Sequence, residues 1–206
     1  MEDQKLRDIF ALHGSNKTVN GYAETYENLF SHLRDKDMTL IEIGTEKTIP
    51  EVLSPMNTFA QPGYSPGGSL RSWRDFFKKG MIHGVDAKPD NKISEERITT
   101  HICSSIDRVV VDNLKETDNF PTEADIIINT GDHSDQAQLA TLKNFFHLVK
   151  KGGYYIVEDT YDMSPMGNPY NPQIREIIGN SYMYPVIITD PYTWKRKVPI
   201  SVIKKV

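Results

Sequence analysis

Glu42, Asp86, Asp132, His133, Glu158 and Asp159 are side chains able to do chemistry, and each lies at or just beyond the end of a short apolar run. Glu42 and Gly44 close the run Met38-Thr39-Leu40-Ile41-Glu42-Ile43-Gly44. Asp86 closes the run that starts at Met81. Asn129-Thr130-Gly131-Asp132-His133 ends and follows Asp125-Ile126-Ile127-Ile128, and Glu158-Asp159 follows the run from Tyr154. Short apolar runs bounded by turn residues suit buried parallel strands, whose carboxyl ends form the ligand crevice of open α/β sheets. A carboxylate there can accept hydrogen bonds from ribose hydroxyls, and a glycine lets a ligand approach the backbone. One such residue is as readily a solvated loop group. Four clusters on one edge point to a binding site, with a nucleotide-type cofactor over Gly44.

The elements that must position these groups follow from pattern. Leu6, Ile9, Phe10 and Leu12 predict a helix within Glu2 to Leu12, and His13-Gly14-Ser15-Asn16-Lys17 breaks it. A second helix is predicted from Tyr22 to Leu33, with Tyr22, Tyr26, Leu29, Phe30 and Leu33 on one face. Thr45 to Gly68 holds four prolines and three glycines and reads as a long loop, functional because of its length. A helix from Leu70 to Phe77, with Ser69 as its cap, is followed by strands at Met81 to Asp86 and Ile98 to Cys103. Val109 to Leu114 reads as a short helix, and Asp125 to Asn129 as the clearest buried strand. A helix from Gln136 to Val149 is expected to end at Lys150-Lys151-Gly152-Gly153, with glycine as its C-terminal cap. Tyr154 to Glu158 is the next strand. The chain closes in a hairpin, Tyr184 to Thr189 and Val198 to Lys204, joined through Asp190-Pro191. Strands alternating with helices predict an α/β fold, Rossmann-like and doubly wound, with a mostly parallel seven-stranded sheet and that C-terminal antiparallel hairpin.

Composition narrows the partners. The chain has 206 residues, a net charge of −4 and 38% hydrophobic residues, which suits one domain over 1–206 with a single sizeable core. No basic run forms a nucleic-acid surface, and no apolar run approaches the ~20 residues of a membrane span. The lone cysteine, Cys103, rules out an internal disulfide and fits a reducing compartment, and Met1-Glu2-Asp3-Gln4-Lys5 is not a signal peptide, so the expected location is cytoplasmic. The dinucleotide fingerprint needs three glycines in a G-x-G-x-x-G turn, whereas Thr45-Glu46-Lys47 follows Gly44, which disfavours a NAD-type oxidoreductase.

Several segments together resemble a known family. Ile41-Glu42-Ile43-Gly44, Gly67-Gly68-Ser69-Leu70-Arg71-Ser72-Trp73-Arg74-Asp75-Phe76-Phe77, Gly84-Val85-Asp86 and Lys151-Gly152-Gly153-Tyr154-Tyr155-Ile156-Val157-Glu158-Asp159 look like class I S-adenosylmethionine-dependent methyltransferases. The nearest group is the metal-dependent sugar O-methyltransferases of macrolide and deoxysugar biosynthesis. His13-Gly14-Ser15-Asn16-Lys17 and Gly21-Tyr22 are similar to that group's N-terminal helical segment, here 1–36. The resemblance runs to about Thr160.

The resemblance implies methyl transfer from S-adenosylmethionine to a sugar hydroxyl, with a deoxysugar such as rhamnose, in a glycan or glycoside, as acceptor. It implies His133 as general base, with Asp132 beside it in the catalytic segment. Lys17, Tyr22, Glu42, Gly44, Ser69, Asp86 and Ser104 are implied for the cofactor. Glu158 and Asp159 match two ligands of a magnesium ion; oxygen ligands with water suit Mg²⁺ or Mn²⁺. The third ligand departs from the family pattern, because Thr130 stands where an aspartate belongs. Asp132 substitutes for it, or a hydroxyl or water does, or the site binds metal weakly or not at all. The loop at 45–68, read as an active-site loop, also exceeds the family's usual length. Rival readings are an O-methyltransferase for another small-molecule hydroxyl and a non-catalytic methyltransferase-like binding module. A homo-oligomer, or a place within a larger multidomain glycan enzyme, stays open.

Overall fold

The architecture is taken from a computed structural model, which describes residues 4–18, 21–45, 67–160, 165–186 and 200–206. Its centre is β1 (Thr39–Ile43), the strand formed by the Met38 to Gly44 run. β1 pairs in parallel with β2 (Met81–Asp86) on one side and with β5 (Ala124–Asn129) on the other, so Ile43 stands opposite both Val85 and Asn129. β4 (Ile98–Ile102) continues the parallel sheet beyond β2, and β6 (Val149–Val157) continues it beyond β5. β3 (Ser94–Glu95) is antiparallel to β4, and β8 (Ile200–Lys204) lies antiparallel between β6 and β7 (Tyr182–Val186). The order across the sheet is β3-β4-β2-β1-β5-β6-β8-β7.

This is the expected doubly wound, mostly parallel sheet with antiparallel strands at the C-terminal edge. The described strands number eight rather than seven, because two-residue β3 is too short to leave a periodic signal. Of the expected hairpin, β7 begins two residues before Tyr184 and β8 covers Ile200–Lys204, while residues 187–199, with the Asp190-Pro191 connection, lie outside the described residues, as do 46–66 of the long loop.

Both faces of β1 are covered, which is why its sequence reads as a continuous apolar run rather than an alternating one. Leu40 packs into a core with α1 (Leu6–Leu12), α2 (Tyr22–Phe30) and α3 (Gly68–Phe76). Ile41 and Ile43 face the opposite core, built with α4 (Arg108–Lys115), α5 (Asp135–Phe145) and α6 (Pro172–Ile178). Trp73 anchors the first core, meeting Phe10 at 5.0 Å and Tyr26 at 5.3 Å edge to face. Such aromatic pairs add about 0.5–1.5 kcal/mol each beyond area burial. No described helix is long and apolar enough to cross a membrane.

Two local expectations are corrected. Ser69 does not cap α3, since Gly67 holds that position at φ +76°; Ser69 is the second helical residue, which frees its hydroxyl for another partner. Lys150-Lys151-Gly152-Gly153 does not end a helix. α5 stops at Phe145, a 3-10 turn spans Phe146–Leu148, and the glycine pair lies inside β6. Gly152 has φ +82° where the β5–β6 register shifts. A Cβ on Gly153 would come within 2.7 Å of the Asp125 carbonyl, so the strands can pair there only without a side chain.

Beneath Phe120, His83 of β2 and His101 of β4 stack with Nδ1 and Nε2 3.2 Å apart. Burial, then the neighbouring ring, pushes His83 down to about 4, and burial lowers His101 as well. A buried histidine with a depressed folded value is neutral while the unfolded chain takes up a proton near pH 6.5. Stability contributed by the pair is therefore complete above that pH and declines as pH falls towards 4. Melting temperature should drop over this window, and the drop should shrink when both histidines are replaced by leucine. An unchanged pH profile in the double variant would show that the pair does not titrate there.

Candidate active site

At the carboxyl edge of the sheet, the next helices after β1 and β5, α3 and α5, lie on opposite faces, the arrangement that opens a crevice in such sheets. A cavity of about 790 Å³ occupies it, floored by Glu42, Gly44 and Asp86 and walled by Ser104, Thr130 and His133. Gly44 is required here. Its φ is +85°, and a Cβ would stand 2.5 Å from the Gly131 Cα, so the two loops meet backbone to backbone. Thr130 N donates to the Ile43 carbonyl at 2.9 Å and fixes that meeting.

The floor is organised by one buried ammonium. Lys17, from the break after α1, places Nζ 2.6 and 2.8 Å from the two Glu158 oxygens and 3.1 Å from Glu42 Oε1. All three residues are at most 2% exposed. Ser69 donates to Glu42 Oε2 at 2.8 Å, using the hydroxyl that is not a helix cap. Burial alone would push the Lys17 ammonium down, but Glu158 and Glu42 outweigh it and hold the ammonium well above its ordinary value. Burial raises the Glu158 carboxyl, an effect that Lys17 and Tyr26 partly offset.

Two tyrosines one turn apart on α2 reach the consecutive carboxylates after β6. Tyr26 donates to Glu158 Oε1, and Tyr22 donates to Asp159 Oδ1 at 2.5 Å. Burial and the adjacent carboxylates raise both phenols far above their ordinary value, so they act as donors. Asp159 has φ +54°, a left-handed conformation that few residues other than glycine adopt. Strand alternation would send Glu158 and Asp159 to opposite faces, and this turn lets both face α2.

Asp159 also stands at the cavity, its Oδ2 3.6 Å from His133 Nε2, an ion-pair separation rather than a hydrogen bond. His133 is about half exposed. Asp132 lines the cavity, but its Oδ1 accepts from the Ser134 backbone at 2.7 Å, which lowers its pKa. Asp86 accepts from Lys88 N at 2.9 Å and stands 3.4 Å from the Thr45 hydroxyl.

Lys17, Glu42, Gly44, Ser69, Asp86, Ser104, Asp132, His133, Glu158 and Asp159 thus line one cavity. Tyr22 is not among the lining residues; it is buried, and its hydroxyl donates to Asp159. The expected metal set is not assembled as such. Among the described residues no three His, Cys, Asp or Glu side chains stand together as a metal cage. Glu158 is drawn onto Lys17, and Asp132 is held in its own turn. Periodicity alone places Tyr26 on a helix face and gives it no polar role. Its hydroxyl was the available signal, because a purely apolar position would accept phenylalanine.

Removing the ammonium would strand two buried carboxylates. Lys17→Met should therefore cost about 3–5 kcal/mol in urea unfolding, the range for breaking a buried ion pair from one side. A loss below about 1 kcal/mol would mean that the group behaves as a solvated surface pair.

Residues 79–173 match the family model described as rhamnosyl O-methyltransferase/CmcI. The 8-demethyl-8-alpha-L-rhamnosyl tetracenomycin-C 2'-O-methyltransferase of Streptomyces olivaceus is 29% identical over 155 residues, covering 75% of this chain and 37% of that protein. The demethylmacrocin O-methyltransferase of Streptomyces fradiae is 26% identical over 70% of this chain and 33% of its own length. The chain spans about a third of the length of these curated relatives. MycE methyltransferase from the mycinamycin biosynthetic pathway, solved with Mg, SAH and mycinamycin VI, superposes with a TM-score of 0.68 at 19% identity, over 99% of this chain and 55% of that one. The chain has the Rossmann-like fold of MycE methyltransferase, and over residues 79–173 its sequence matches the family model described as rhamnosyl O-methyltransferase/CmcI.

Proposed function

We propose that this chain transfers a methyl group from S-adenosylmethionine to a hydroxyl of a sugar, with a deoxysugar such as rhamnose as acceptor. The observation that carries the reading is the single cavity that gathers His133, Asp159, Asp86 and the Gly44 turn at the sheet's carboxyl edge. The relatives' names support the acceptor class. Among the described residues, five carboxylates and two lysines line the cavity, an excess of negative charge that favours a cationic sulfonium. Asp86 accepts from the cofactor's ribose, and the bare Gly44 backbone lets it lie close to β1. The bound cofactor supplies an electrophilic methyl on a positively charged sulfur.

His133 then takes the proton of the acceptor hydroxyl, typically worth about 10²–10⁴ in rate. Asp159, fixed by Tyr22, lies beside that ring. The cavity walls hold the acceptor oxygen in line with the methyl, which is the larger part of the task for an already reactive donor. Mg²⁺ belongs to the proposal through the MycE complexes, and Mn²⁺ through its like preference for oxygen ligands. As the side chains stand, they do not cage an ion. A metal site here needs Glu158 released from Lys17, with Asp159 as the carboxylate already facing the cavity.

The proposal takes 1–206 as one transferase domain, supported by a single sheet covered on both faces. It takes 45–68 as an active-site loop, supported by Thr45 and Gly68, which both line the cavity. It places the reaction in the cytoplasm, supported by the lone cysteine, Cys103, which fits a reducing compartment.

Saturating S-adenosylhomocysteine should raise the melting temperature by roughly 5–10 °C, as expected for a ligand at about 100 times its Kd and a domain of this size. NAD⁺ should not raise it, and the reverse pattern would refute the cofactor. With a rhamnosyl glycoside as acceptor, His133→Ala should lower kcat by about 10²–10⁴ while leaving cofactor affinity intact. Activity within a few-fold of the parent would make some other group the base. EDTA should lower turnover and Mg²⁺ or Mn²⁺ restore it, with Thr130→Asp tightening metal binding. Full turnover after exhaustive chelation would remove the metal from the mechanism.

A further inference from the structure

The loop leaving β2 carries a buried amide that no group among the described residues answers. Asn91 ends the 3-10 turn Pro89–Asn91, is 5% exposed and lines the cavity. Neither its Oδ1 nor its Nδ2 has a hydrogen-bond partner. Buried side-chain amides are rarely left so, because each unpaired donor or acceptor costs stability. Nor does the loop use this side chain to hold its shape. Asn91 N donates to Lys88 O, Lys92 N donates to Pro89 O, and Ile93 N donates to Thr100 Oγ1 at 2.6 Å. The backbone and Thr100 fix the turn, and the amide is carried along.

We infer that Asn91 recognises the cofactor, sharing the ribose diol with Asp86. This rests on the reading that the cavity binds S-adenosylmethionine. A vicinal diol offers two O–H donors and oxygen lone pairs. The Asp86 carboxylate can only accept, so alone it leaves the hydroxyl lone pairs unanswered. The Asn91 carboxamide adds an N–H donor as well as an acceptor. Asp86 ends β2 and Asn91 stands five residues on in the loop that follows; both line the cavity, and Lys88 N between them donates to Asp86 Oδ1 at 2.9 Å.

Replacing an unpaired buried amide with an apolar group of similar size should leave an unliganded fold as stable as before or more so. Asn91→Leu should therefore melt at or above the parent temperature without ligand. In calorimetry it should bind S-adenosylhomocysteine about tenfold more weakly, the loss of roughly one hydrogen bond. An analogue lacking the ribose hydroxyls should bind both proteins equally. Asn91→Asp, which keeps the shape and loses the donor, should show the same loss and serves if the leucine variant does not fold. Undiminished S-adenosylhomocysteine binding by either variant overturns the inference, as does an equal loss for the analogue without hydroxyls. If the parent protein itself does not bind S-adenosylhomocysteine, the cofactor reading fails and the inference with it.

Discussion

The Lys17 ammonium is the interaction on which the rest of the site depends. It joins a short N-terminal segment to the ends of β1 and β6, strands that are not neighbours in the sheet. Two carboxylates taken out of water in the same place repel each other and carry a large desolvation penalty, so neither Glu42 nor Glu158 would stay buried and ionised alone. One ammonium between them offsets both costs at once. Around that point Ser69, Tyr26 and the Gln138 amide complete the polar contacts, the last donating to the Glu158 carbonyl at 3.3 Å. The result is a polar centre inside an apolar sheet edge, and it fixes which carboxylates face the cavity.

That division of labour explains an otherwise odd arrangement. Glu158 and Asp159 are consecutive, yet one is sealed against an ammonium and the other stands beside His133 at the cavity surface. The left-handed turn at Asp159 ends the strand's alternation within one residue, so both carboxylates reach the α2 tyrosines, and Lys17 on one and His133 beside the other set them apart. Backbone strain of this kind persists only where surrounding contacts over-determine it. Here Tyr22 and the Glu158 network supply those contacts.

The sheet was legible because its central strands are apolar on both faces, and no helical period competes with runs such as Asp125 to Asn129. The cavity edge was legible for the same reason, since strand ends declare themselves through glycine and carboxylate. Pairing across the chain was not. Nothing in His13 to Lys17 reveals that its lysine will sit against a glutamate 141 residues later. The Lys150 to Gly153 segment misled because positive φ at glycine serves a helix cap and a strand irregularity alike. Ser69 misled because a serine before an apolar run is a cap by local chemistry, and Gly67 took that position instead. Asn91 gave no local sign, since an asparagine in a Pro-Asp-Asn turn looks like turn chemistry.

The spacing of Tyr22 and Tyr26 has a consequence for how this protein tolerates change in length. One turn of α2 is matched to the step between two successive carboxylates, so the helix works as a gauge laid across the end of β6. A substitution on the outer face of α2 leaves that gauge intact. A single inserted or deleted residue between the tyrosines rotates one of them by about 100° around the helix. Each phenol would then face a different layer of the molecule, and one carboxylate would lose its donor. Through this segment the chain can drift in composition, while its residue count is held by the geometry of the site.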